Sequence, residues 1–233
     1  IKAVFLPYEA TNLVFNEINY NSSSDFDPDD WVELYNPTDQ NLDIGNWMFK
    51  DEVNDHSFTI PENTILNSGE YLVLCRDSYS FTALFPSVTN FVGDFDFGLS
   101  AGGELIRIYD SNGSIVDSVV YDDEDPWPAE ADGDGATLEL LGPFLDNSIA
   151  ENWMGSDGYG SPGSVNSNTN CGEVLGDING DDAIDVLDVI LMVGIIIVFN
   201  DDYTVCELYA SDINLDGVID ILDIITLVNI ILA

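Results

Sequence analysis

"DINGDDAIDVLD" at residues 177–188 and "DINLDGVIDILD" at 212–223 are one acidic pattern written twice, 35 residues apart, with eight of twelve positions identical. Acids scattered by chance do not repeat their spacing. Ca²⁺ is a hard cation that takes about six to eight oxygen ligands, and a twelve-residue loop supplies them from positions 1, 3, 5, 7, 9 and 12. The first copy offers Asp177, Asn179, Asp181, the Ala183 carbonyl, Asp185 and Asp188. The second offers Asp212, Asn214, Asp216, the Val218 carbonyl, Asp220 and Asp223. Two bound calcium ions are therefore expected. Position 6 needs a sharp turn, which Gly217 supplies in the second loop. The first loop has Asp182 there, a residue that tolerates a left-handed backbone better than most, so slight strain is expected. Position 8 is Ile184 in one loop and Ile219 in the other, and these are expected to meet across a short strand contact.

The rest of the chain must fold around a large negative charge. Its 233 residues carry 44 Asp plus Glu against 4 Lys plus Arg, a formal net charge of −40. Such a balance often means disorder, but 45% hydrophobic and 11% aromatic residues are enough to bury a sizeable core. Metal cations would offset part of the repulsion. The four cations, Lys2, Lys50, Arg76 and Arg107, are scattered, which argues against nucleic acid and against anionic membrane surfaces. The longest apolar run, "VILMVGIIIVF" at 189–199, is too short to span a bilayer, so no membrane insertion is expected. No signal peptide is visible, and Ile1 in place of Met suggests a processed chain.

Composition shifts near residue 155. "GSDGYGSPGSVNSNTN" (155–170) reads as a domain edge, with 161–170 as linker. Before it, over 13–160, lie short alternating or β-branched runs between turn signals. They include "LVFNEIN" (13–19), "WVELYN" (31–36), "YLVLC" (71–75) and "ATLELL" (136–141). "ELIRIYD" and "SIVDSVVYD" are joined by "SNG", a hairpin signal. This pattern predicts a mainly β fold with a β-sandwich. Residues 1–12 read as an edge strand or as an arm that pairs with a neighbouring molecule's sheet. After the linker, 171–233 is a small helical region holding both loops.

Each loop is followed by an apolar helical segment, "VILMVGIII" or "IITLVNIILA". The segments before them, "NTNCGEVLG" and "DDYTVCELYAS", leave little room for an entering helix. This duplication of loop and exiting helix resembles a type I dockerin domain over about residues 171–233. The resemblance implies a calcium-folded module that docks onto a cohesin-like β-sandwich, because like-charged Asp side chains cannot converge without metal. It places the partner contacts at Val186, Leu187, Ile221 and Leu222. The alternative for Leu187 and Leu222 is an ordinary core position. Both helices are apolar enough to leave surface over, for a partner or for the chain's own β domain.

"VFNEINYN" and "DWVELYNPTDQNLDIGNWMFKD" resemble the opening of a bacterial lamin-tail domain. The likeness continues through "IPENTILNSGEYLVL", "LSAGGELIRIYDSNGSIVDSVVYDDEDPWP" and "ADGDGATLELL" to "NWMGSDGYGSPGSVN", over about 13–166. It implies an immunoglobulin-like β-sandwich, secreted or on a cell surface, with no catalytic motif. Trp31, Trp47, Trp127 and Trp153 are expected in the core or at its ends, with a sugar-binding platform as the alternative. "DFDPDD" (25–30) and "YDDEDP" (121–126) read as solvated loops. Asn21 and Asn112 match the N-glycosylation pattern.

Cys75 ends a strand-like run and reads as a buried thiol. Cys171 and Cys206 stand six residues before the first Asp of each loop, which allows a disulfide between them in an oxidising compartment. His56 is the only histidine and has no nucleophile motif near it, so no enzyme is expected. The expected protein is extracellular, calcium-binding and structural. It assembles head-to-tail with itself into a filament or surface array, or docks a separate cohesin-like partner as an adhesion or carbohydrate-binding module.

Overall fold

The computed structural model describes residues 13–38, 40–143, 145–167, 175–181, 183–197, 203, 205–214 and 219–232. Two compact units divide the chain: one spans Ala10–Asn168, and the other holds Thr169–Ala233. The expected N-terminal arm, residues 1–12, lies outside the described residues.

The first unit is a sandwich of two sheets. One has six strands in the order β12-β11-β1-β2-β7-β8: Trp153–Gly155, Leu138–Leu140, Val14–Asn19, Trp31–Tyr35, Tyr71–Cys75 and Phe91–Gly93. The other has four, β10-β9-β4-β5: Ile115–Tyr121, Glu104–Tyr109, Met48–Lys50 and Phe58–Thr59. A two-stranded pair, β3 (Leu42–Asp43) and β6 (Ile65–Leu66), completes it. Every pairing is antiparallel except β7 with β8. The core lies between the sheets, with Phe15, Ile18, Leu34, Leu72 and Leu138 meeting Phe49, Ile106, Ile108 and Val119.

The two sheets differ in what covers their outer faces. β9 alternates buried and half-buried residues, as a strand with one solvated face does. β1 is buried at every position, so the six-stranded sheet is covered on both faces. Over β2, β7 and β8 the cover is α1 (Ser78–Leu84), whose Phe81 packs with Trp31, Val73 and Cys75. The short β-type segments did not predict this helix. It starts at Asp77, whose carboxylate accepts the Ser80 N–H at 2.8 Å. Over β11, β1 and β2 the cover is residues 157–167. Its residues 161–167 fall in the expected linker, 161–170, yet they hydrogen-bond to the sheet.

The second unit contains α2 (Val186–Ile197), α3 (Val205–Ser211) and α4 (Ile221–Leu232). Its core is Ile178, Met192, Ile195, Ala210 and Leu227. α3 corrects the expectation that no helix enters a loop: it ends at Ser211, directly before Asp212. Ala210 docks it into this core, Ser211 is buried beside it, and the Ala210 carbonyl accepts the Gly176 N–H at 2.9 Å. Among the described residues no helix is long and apolar enough to cross a membrane.

Candidate functional site

The two acidic repeats share one hydrogen-bonding scheme. Asp188, at position 12 of the first repeat, is wholly buried in the first turn of α2. Its Oδ1 accepts the N–H groups of Ile178 at 2.9 Å and Asn179 at 3.3 Å, and its Oδ2 accepts that of Asp185 at 2.8 Å. Asp223 repeats this at the start of α4. It is equally buried, and it accepts from Ile213 at 3.0 Å, Asn214 at 3.2 Å and Asp220 at 2.9 Å. In each repeat the last carboxylate therefore clasps the amides of positions 2, 3 and 9 and closes the loop on itself. Its place in a helix's first turn also favours negative charge.

The remaining first-loop acids serve the same turn. Asp177 Oδ1 and Asn179 Oδ1 both accept the Asp181 N–H, at 3.1 and 2.9 Å. Asp181 accepts from Ala183 at 3.0 Å, and Asp185 from Leu187 at 2.7 Å. In the second loop Asp220 accepts from Leu222 at 2.6 Å, and Asp212 is buried. Asp182, Asp216, Gly217 and Val218 lie outside the described residues. The left-handed turn described in the first loop falls at Gly180, φ +67°. Ile184 and Ile219 both pack against the unit's core. Among the described residues no group of three or more His, Cys, Asp or Glu is arranged to hold a metal ion. The donors are nonetheless all oxygen, suited to a hard cation, and residues 169–233 contain no Lys, Arg or His to offset them.

Val186 and Leu187 on α2 are 62% and 50% exposed, and their equivalents on α4, Ile221 and Leu222, are 60% and 52% exposed. The core alternative for Leu187 and Leu222 therefore fails. Ile190 and Ile225 extend the same two faces, as do Ile197 and Leu232 at the helix ends. Cys206 is disulfide-bonded, Cys75 is a free buried thiol, and Cys171 lies outside the described residues. Burial, followed by the nearby Asp94, pushes the Cys75 thiol up to about 12.

Other singled-out residues have structural partners. His56 Nδ1 lies 2.5 Å from Asp51 Oδ2, and its ring stacks on Phe97. Trp31, Trp127 and Trp153 are too buried for a sugar platform, and Trp127 packs on Trp153 at 6.0 Å. Asp30, in the acidic 25–30 loop, accepts the Leu99 N–H at 2.8 Å and lies 3.6 Å from Arg76. Asn112 sits exposed in the β9–β10 turn, and the Asn21 amide donates to Asp132 at 2.6 Å.

Sequence reading missed a row of three buried glutamates. Glu139 on β11, Glu17 on β1 and Glu33 on β2 stand opposite one another in register, each fully buried. A β-bulge between Phe15 and Glu17 adds Asn16 to the same face, and its amide donates to Glu33 at 2.9 Å. Burial first, then the charges of Glu33 and Glu139, hold Glu17 well above the ordinary glutamate range. Burial also pushes Glu33 up to about 8, against the opposing bonds from Gly163 and Asn16. The signal lay in "FNEIN", "WVELY" and "LELL", where each β run carries a Glu at its centre.

Two facing sheets with a single covered core define the first unit as an immunoglobulin-like β-sandwich. The chain belongs to the lamin tail domain family: residues 7–123, half of its length, match the Lamin Tail Domain. The match stops before β11 and β12, which continue the same sheet. No curated protein matches the chain. Among solved structures, a DUF4876 family protein from Bacteroides thetaiotaomicron is similar at 12% identity and a TM-score of 0.41. That match covers 64% of this chain and 68% of the other. A likeness this weak carries no argument.

Proposed function

We propose that this chain is an extracellular, calcium-dependent structural protein. Its second unit acts as a dockerin-like module that docks onto the β-sandwich of another copy. The observation that carries this reading is the duplicated apolar face, with Val186, Leu187 and Ile190 repeated as Ile221, Leu222 and Ile225, all exposed. Exposed apolar residues scattered singly mean little, but two matching rows mark an interaction surface. A sandwich and a sandwich-binding module on one chain form a head-to-tail pair, which extends into filaments unless rotation closes a ring. The disulfide at Cys206 fits an oxidising, extracellular setting.

Calcium would be held in the first loop by Asp177, Asn179, Asp181, the Ala183 carbonyl, Asp185 and Asp188. In the second it would be held by Asp212, Asn214, Asp216, the Val218 carbonyl, Asp220 and Asp223. Bound there, it supplies positive charge to residues 169–233, which have no basic side chain, and so fixes the bases of α2 and α4. No catalytic role is assigned. The sole histidine is committed to Asp51 and Phe97, and no nucleophile motif accompanies it.

Negative-stain electron microscopy and sedimentation of the purified chain test this, in millimolar Ca²⁺ and again in excess chelator. Polymers in calcium that disperse on chelation, and that a Leu187→Lys, Leu222→Lys variant fails to form, are the expected result. Monomers under both conditions overturn self-assembly and leave a separate cohesin-like partner as the remaining reading.

A further inference from the structure

Three carboxylates in one buried row need a reason not to repel, and the segment covering them is built from their hydrogen bonds. Glu17 accepts the Ser161 N–H at 3.0 Å and the Thr137 hydroxyl. Glu33 accepts the Gly163 N–H. Glu139 accepts the hydroxyls of Ser161 and Ser167, both at 2.7 Å. Asn166, also buried, donates to the Asn16 carbonyl at 3.1 Å and to the Leu140 carbonyl at 2.8 Å. At the other end of the segment, Tyr159 stacks on Phe26 with ring centroids 4.1 Å apart. Gly160 lets the segment approach: its φ is +94°, and a Cβ there would lie 2.5 Å from Glu17 Oε1. Residues 157–167 thus form a strap that makes no strand pairing and is pinned to the sheet by these acids.

Among the described residues, no basic side chain is paired with Glu17 or Glu33. The charged groups that act on Glu17 are Glu33 and Glu139, and Glu139 also acts on Glu33. Across from Glu33, β7 presents Val73; across from Glu139, β12 presents Met154, and Glu130 lies beside the neighbouring Gly155. The strap's contacts come from neutral Ser161, Gly163, Asn166 and Ser167. Its own ionisable side chains are Asp157 and Tyr159. Amide and hydroxyl donors favour the ionised acids, but burial and mutual repulsion outweigh them at both Glu17 and Glu33. The sheet lies beneath the row and the strap over it, so water reaches it most readily if the strap lifts.

We propose that residues 157–167 are a proton-controlled strap, latched over the sheet while Glu17 and Glu33 keep their protons and released as these two ionise. The sign follows from linkage. The latched state binds protons that the opened state gives up, so latching is strongest below the ordinary glutamate value of 4.5. It weakens as pH rises and is fully lost once pH passes about 8. Within that window the opening equilibrium grows up to about tenfold per pH unit for each proton released. The proposal is independent of calcium.

Hydrogen–deuterium exchange of the whole protein tests it across that pH range at constant calcium. Rates are corrected for base catalysis and referenced to amides of the β9–β10 hairpin. Strap protection should fall with pH relative to the hairpin and then level off. Glu17→Gln and Glu33→Gln keep the carbonyl acceptor and remove an ionising group, so each should hold the strap at alkaline pH. If strap and hairpin protection run parallel at every pH, the proposal is overturned. It is equally overturned if both variants lose protection as the native chain does. Should Glu17→Gln fail to fold by near-ultraviolet circular dichroism, Glu33→Gln decides alone.

Discussion

Replacing Asp188 with alanine should unfold the helical unit and spare the β-sandwich. The side chain is wholly buried and takes three backbone N–H groups, at 2.9, 3.3 and 2.8 Å. Alanine leaves all three donors without their acceptor. A hydrogen bond to a buried charged group is worth roughly 1.5–3 kcal/mol, and bonds sharing one carboxylate are not additive. The 3.3 Å contact is the weakest of the three, so about 4 kcal/mol is a reasonable total. A unit of about 65 residues has only some 3–10 kcal/mol of stability to lose. Asp185→Ala is the control. It removes one bond, to Leu187 at 2.7 Å, from a half-buried site and should cost about 1 kcal/mol. Urea unfolding in excess chelator, where neither side chain can act through a bound ion, followed by the helical circular dichroism signal, separates the two. Equal midpoints for both variants would refute the idea that the last aspartate of each loop closes it.

Four further outcomes follow from particular contacts. In scanning calorimetry, excess chelator should lower the helical unit's transition and leave the sandwich's in place; calcium at a hundred times its Kd contributes about 2.7 kcal/mol per site. Gly160→Ala should cost the sandwich about 2–4 kcal/mol in urea unfolding, because it adds both an unfavourable φ and a clash with Glu17. Sandwich stability should fall with rising pH. Burial pushes Asp30 up to about 6 and Glu33 up to about 8, so the stability they contribute is full below the ordinary values of 3.8 and 4.5. It is lost by pH 6 and 8 respectively, and thermal melts of native and Glu33→Gln chains measure the slope. Cys75 should resist alkylation until the sandwich unfolds, whereas Cys206→Ser should destabilise the helical unit by about 2–4 kcal/mol in the same urea assay.

What was legible in the sequence depended on local pattern. The strands over 14–19, 31–35 and 71–75 announced themselves by β-branched and aromatic runs between turn residues. The loop spacing singled out Asp188 and Asp223, since a repeat fixes position without any tertiary knowledge. The cover on the outer face of the six-stranded sheet was not legible. "SYSFTAL" has weak helical character, and α1 forms because Phe81 is buried against Trp31 and Val73. Residues 157–167 have the composition of a linker, yet their serines and glycines are what acceptor-rich glutamates require. α3 was missed for the same reason: seven residues are too few for a periodic signal, and tertiary packing supplies what propensity does not.

The larger question is how so acidic a chain folds with so few cations. Among the described residues the only carboxylate pairs with a basic side chain are Arg76 with Asp29 and Asp30, and His56 with Asp51. Arg107 instead donates to the Asp51 carbonyl and to Asn54, and Lys50 to the Asn54 carbonyl. The acids are held by backbone amides. Asp27, Asp43, Asp51, Asp110, Asp122 and Asp146 each accept the N–H two residues on. Asp181, Asp185 and Asp220 in the two acidic repeats do the same. Aspartate suits this turn because its short side chain reaches its own backbone, whereas glutamate's longer one does not. The two acid types therefore divide the work by geometry. The aspartates of these two-residue turns lie mostly where water reaches them, Asp51 being the buried exception. Glu17 and Glu33 lie buried in the sheet, where desolvation raises them above the ordinary glutamate range, and on the strap proposal retained protons there take the place that cations hold elsewhere.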